Sequence, residues 1–63
     1  MKKLEEAESI FKKTIRLKNN YAEAHYNLGS TLKELGKYSE AENSFRQAIK
    51  INPNFVLAYN NLG

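Results

Sequence analysis

The chain repeats itself after 34 residues, and that period limits what it can fold into more than any other feature. Aligning positions 1–29 with 35–63 leaves eleven identities: Lys3/Lys37, Glu6/Glu40, Ala7/Ala41, Glu8/Glu42, Phe11/Phe45, Ile15/Ile49, Asn20/Asn54, Ala24/Ala58, Asn27/Asn61, Leu28/Leu62 and Gly29/Gly63. Conservative pairs such as Lys12/Arg46, Leu17/Ile51 and Tyr21/Phe55 fall between them. A fixed period of this size in a helical pattern marks a stacked repeat. Each unit of such a stack buries its apolar face only against its neighbours.

The spacing of apolar residues predicts a first helix over 3–18, where Leu4, Ala7, Phe11 and Thr14 share one face. Ile10, Ile15 and Leu17 widen that face, as for a helix buried on more than one side. A second helix is expected over 21–35, with Ala24, Leu28, Leu32 and Leu35 inward. Gly36 follows where a left-handed C-cap residue is wanted. The third helix spans 39–51, and Tyr38, Ala41, Phe45 and Ala48 repeat the spacing of the first. Asn20 with Glu23 and Ser39 with Glu42 have the spacing of capping boxes. Pro53 cannot continue a helix, so Asn52-Pro53-Asn54 is a stop and turn. A fourth helix starts near Phe55 with Ala58 and Leu62 inward. Gly29, Ala41 and Ala48 read as points of close helix approach, with Tyr38 and Phe45 supplying bulk beside them. The fold class is therefore all-α, built of antiparallel helix-turn-helix units. The units divide as 1–20, the second helix of a partial unit; 21–54, one complete unit; and 55–63, the start of another.

The stretch from Ala22 to Phe55 resembles a tetratricopeptide repeat. Leu28-Gly29, Gly36-Lys37-Tyr38, Glu40-Ala41, Phe45, Ala48 and Pro53 stand at that family's landmark positions. His25 and Leu32 depart from it, where bulky aromatics are usual. Thr14 and Asn19 depart in the preceding partial copy. The resemblance implies an α-solenoid with the helices in the order B, A, B and partial A. It also implies a concave groove lined by A helices, which holds an extended peptide or a partner helix.

No catalytic constellation is present. His25 has no Ser or Cys nucleophile placed to use it and is read as a half-buried aromatic substitute. Glu5, Glu6 and Glu8 suit the first turn of a helix through its dipole. There is no phosphate loop and no metal spacing, so neither a cofactor nor a metal is expected. Ten Lys and Arg against seven Asp and Glu give a net charge of +3, but the basic residues of the first helix alternate with acids. That is a solvated face rather than a nucleic-acid surface. With no apolar run long enough to span a bilayer, no signal peptide and no cysteine, a cytoplasmic protein without a membrane or nucleic-acid partner is expected.

Two sets of binding residues follow. Opposite the inward stripe of the second helix lie Tyr26, Ser30 and Lys33, with Asn27 beside them. Asn60 and Asn61 are their counterparts in the fourth helix, and the six are the expected peptide-binding groove. An amide donates and accepts at once, so Asn27 and Asn61 suit recognition of a peptide backbone. This Asn pattern is similar to the superhelix of O-linked N-acetylglucosamine transferases. The Lys of the carboxylate-clamp relatives has no counterpart, since Tyr26 and Asn60 stand in its place. The second set concerns self-association: Leu4, Phe11, Phe55, Tyr59 and Leu62 are expected to join copies head to tail into a homo-oligomer. Sixty-three residues are five short of two periods, and the flanking half-units need mates.

Overall fold

The computed structural model describes residues 2–62, Leu62 by its backbone alone; the Leu62 side chain and Gly63, both included in the expectations above, lie outside the described residues. Four helices follow one another: α1 (Lys2–Leu17), α2 (Ala22–Glu34), α3 (Tyr38–Ile51) and α4 (Val56–Leu62). No strand occurs among the described residues. The all-α expectation holds, with helix limits within one or two residues of those read from the periodicity. α2 packs against α1 on one side and α3 on the other, and α4 packs on α3.

The turn after α2 fixes the hairpin. Gly36 adopts φ 81°, the left-handed region that favours glycine. Its N–H donates to the Lys33 carbonyl at 3.0 Å, and the Lys37 N–H donates to the Leu32 carbonyl at 2.8 Å. These two bonds make a Schellman motif, which satisfies the last carbonyls of α2 and reverses the chain within two residues. After α3, the Asn54 N–H donates to Asn52 Oδ1 at 3.2 Å. This Asx turn carries the chain past Pro53.

Neither capping box forms. The N-cap residues are Tyr21 and Lys37, and neither makes a side-chain cap bond. The Schellman turn delivers the backbone to α3 two residues earlier than the Ser39 box requires, with Lys37 as N-cap, so Ser39 lies inside the helix. Asn20 sits in the turn before α2. There the His25 ring Nε2 donates to the Asn19 carbonyl at 3.0 Å, tying the turn to the helix from within. His25 is half-buried, as its sequence reading held.

Phe45 is the centre of the packing. It is 1 % exposed and clusters with Leu28, Leu32 and Ala41, while Phe11, Ile15 and Tyr26 pack around them. Its ring lies so close to α2 that a Cβ on Gly29 would stand 2.7 Å from Cε1. Gly29 is thus the gap into which Phe45 fits. Ala41, Ala48 and Ala58 are buried small residues at the other helix contacts.

Three expectations need correction. Tyr38 does not fill the core: it is 67 % exposed, because as the first residue of α3 it lies beyond the α2–α3 contact. Ile10 and Leu17 are 61 % and 80 % exposed, since α1 packs mainly against α2 and leaves them uncovered. Glu8, read as a solvated acid, is instead the buried residue of α1. Its carboxylate pairs with Lys12 at 2.8 Å and Lys37 at 3.2 Å, linking α1 to the α2–α3 turn.

The hydrogen bond from Lys12 holds the Glu8 carboxyl below its ordinary pKa of 4.5; desolvation opposes this and the Lys37 hydrogen bond assists it. The same bond raises Lys12 above 10.5. A lowered folded-state carboxyl stabilises above its unfolded pKa, and that gain is lost as pH falls through the folded value. A raised ammonium stabilises below its unfolded pKa, and that gain is lost as pH rises through the folded value. The link is therefore complete between these limits. Both ammonium groups keep about half their solvent contact, so the pair is worth at most about 1 kcal/mol. Glu8→Gln is expected to lower the melting temperature by about 2–8 °C at neutral pH. Near pH 2 it should melt with the parent, which thermal circular dichroism at the two pH values will show.

Candidate functional site

Of the six groove residues expected on α2 and α4, three line a common cleft. Ser30, Lys33 and Asn61 converge on one cleft of ≈ 360 Å³, whose other walls are Glu34 and Tyr38. A second cleft of ≈ 190 Å³ shares Lys33, Tyr38 and Asn61 and runs down to Ala41, Glu42 and Phe45. Three helices build this place. The last turn of α2 presents Lys33, the first residue of α3 presents Tyr38, and α4 brings Asn61 across from the other side. The floor is apolar and the rim carries one ammonium group, two carboxylates and an amide.

The other three groove residues do not line the clefts. The Tyr26 ring packs between Phe45, at 5.9 Å centre to centre, and Phe55, at 5.1 Å. Tyr26 is thereby a bridge from the core to the start of α4. Asn27 is half-buried on α2 and lines neither cleft, and its carbonyl accepts the Thr31 hydroxyl at 3.0 Å. Asn60 is exposed and also lines neither.

Asn61 is already engaged. Its Nδ2 donates to the Tyr26 hydroxyl at 3.3 Å and to the Leu57 carbonyl at 2.9 Å. Both amide protons have partners within the protein, which leaves Oδ1 as the side chain's capacity for a ligand. Asn61 therefore holds the A-type helices α2 and α4 in register through Tyr26, and it meets the cleft as an acceptor.

Tyr38 is the site residue that the sequence reading assigned to the core. Its position directly after the Gly36 turn was the available signal, since a helix-first residue beyond a tight turn has little of its neighbour left to pack against. Of the self-association set, Leu4 and Phe11 are half-buried, with Phe11 against the Leu28–Leu32 cluster. Phe55 is half-buried under Tyr26, while Tyr59 is exposed. Leu62 falls outside the described side chains. Among the described residues no group of three His, Cys, Asp or Glu side chains is placed to hold a metal ion. No helix there is long and apolar enough to cross a membrane.

Comparison with known families matches residues 22–55 to the tetratricopeptide repeat. No curated protein and no solved structure matches the chain. The matched segment is α2, the Schellman turn, α3 and the Asx turn, that is, one whole hairpin with Phe45 seated on Gly29. It covers more than half of the sequence. This repeat is a general protein-interaction motif, and the chain belongs to the tetratricopeptide repeat family.

Proposed function

We propose that the protein is a non-catalytic interaction module that holds an extended peptide in the cleft between α2, α3 and α4. The observation that carries this reading is the convergence of Ser30, Lys33 and Asn61 with the exposed ring of Tyr38 over an apolar floor. Neither cleft rivals the upper end of the range of about 300–1,000 Å³ usual for small-molecule sites, and both lie open along the surface. Their size suits side chains of a peptide lying across them. Tyr38 supplies a rigid ring for contact, Asn61 Oδ1 accepts a backbone N–H, and Lys33 faces a carbonyl or carboxylate. Asn27 lies outside this cleft and extends the site only where a ligand continues along α2.

Peptide-library selection followed by fluorescence anisotropy tests the assignment. Tyr38→Ala and Lys33→Glu change exposed side chains, so the fold should survive them. Tyr38→Ala is expected to weaken a selected peptide roughly five-fold or more, the loss typical of an aromatic contact worth above about 1 kcal/mol. Asn27→Ala should leave that peptide's affinity unchanged. Selected peptides that bind both cleft variants as tightly as the parent would sink the reading.

A further inference from the structure

The molecule contains one complete A–B helix contact and, at its two sides, a copy of each half of it. α2 and α3 make the complete contact. α1 is the 34-residue copy of α3, and α4 is the copy of the first half of α2. In α3, which packs between α2 and α4, Ser44 is 7 % exposed and Phe45 and Ala48 less, with Phe45 seated on Gly29 of α2. Their copies in α1 are less covered, with Ile10 at 61 % exposed and Thr14 half-buried, while Phe11 is half-buried against the Leu28–Leu32 cluster. On α4 the open apolar residues are Val56, Leu57 and Tyr59; Val56 and Tyr59 copy the half-buried Ala22 and His25 of α2, and Leu57 copies the exposed Glu23. One position on each face is more apolar than the residue it copies: Ile10 stands for a serine and Tyr59 for a histidine, while Thr14 stands for an alanine.

From this we infer that α4 of one copy docks on α1 of a second copy, repeating the α2–α3 contact between molecules. The antiparallel α2–α3 pairing sets the start of the A helix beside the end of the B helix. Val56 and Tyr59 therefore meet the second copy's Thr14 and Leu17, and Leu17 is otherwise 80 % exposed.

Charge agrees with the same register. Glu8 takes two ammonium groups, one from Lys12 in its own helix and one from Lys37 at the start of the next B helix. Its copy Glu42 has the first of these, Arg46 at 3.8 Å. The residue one period beyond Lys37 falls, in the docked pair, on Lys3 of the second copy, and Lys3 is also the copy of Lys37. The docked copy thus supplies the cation that completes the Glu42 site. A contact of this kind uses a different surface on each partner and propagates as a chain of copies.

The test uses two variants, each spoiling one face. Ile10→Glu places a charge on the α1 face and Tyr59→Glu on the α4 face, both at exposed positions. Sedimentation velocity from micromolar to millimolar concentration should show the parent associating, while each variant alone stays monomeric with parental helicity in circular dichroism. Mixed, the two variants should form a 1:1 pair and grow no further, because one retains a good α4 face and the other a good α1 face. Glu42→Lys should weaken the parent's association a few-fold, and adding Lys3→Glu should restore it. A parent that is monomeric throughout overturns the inference. So does a mixture that fails to pair, or a single variant that associates as the parent does.

Discussion

Phe45→Ala is expected to remove the cooperative thermal transition of this protein. The ring is almost wholly buried, with Tyr26 and Gly29 of α2 on one side and Leu28, Leu32 and Ala41 around it. Truncating such a phenylalanine costs about 3–5 kcal/mol, combining lost transfer energy with the cavity left behind. A chain of this length carries only about 3–9 kcal/mol in total, at about 0.05–0.15 kcal/mol per residue. The change therefore takes most of what there is. Circular dichroism should show a shallow, non-cooperative loss of helicity on heating. A sharp transition lowered by less than about 5 °C would mean that the ring contributes little more than about 1 kcal/mol.

The second large effect comes from the other side of the same contact and changes sign with context. Gly29→Ala should destabilise by about 1–3 kcal/mol, because the added methyl meets the almost wholly buried Phe45 ring at 2.7 Å. Helix propensity works the other way, favouring alanine over glycine by about 1 kcal/mol. In the Phe45→Leu background the aromatic edge is gone, and the propensity term should win. Gly29→Ala is then expected to be neutral or stabilising. Denaturant titration of the four proteins of this cycle measures the coupling directly. Equal effects of Gly29→Ala in both backgrounds would show that the close approach is not what selects glycine.

The helices, their limits and the roles of Gly29 as a small residue and Phe45 as a large one were legible because each follows from a local rule or from the period. Gly36 followed from the need for a left-handed residue after the last helical turn. Phe45 and the small residues around it followed from heptad-like spacing repeated at 34 residues.

What the sequence hid depended on where helices end. Tyr38 and Phe45 lie on one face by spacing, yet Tyr38 is the first residue of α3 and projects past the hairpin. Glu8 looked like an ordinary first-turn acid, since its second partner, Lys37, is 29 residues away. The recurrence of both residues at the period, as Glu8/Glu42 and Lys3/Lys37, was the signal available. The capping boxes failed because competing geometry, the Schellman turn before α3 and the His25–Asn19 bond before α2, had already fixed the chain. Asn61, read as the groove partner of Asn27, donates to the Tyr26 hydroxyl, a contact that the spacing of Asn27 and Asn61 does not reveal.

The claim that matters most for function is that one cleft, formed where α2, α3 and α4 meet, is where a peptide lies. Titrating a library-selected peptide into the isotope-labelled protein and following backbone amide shifts by NMR addresses it residue by residue. The largest shifts should fall together on Ser30, Lys33, Tyr38 and Asn61, with Ile10 and Leu17 unmoved. Shifts centred on the outer face of α1, with those four residues still, would contradict it.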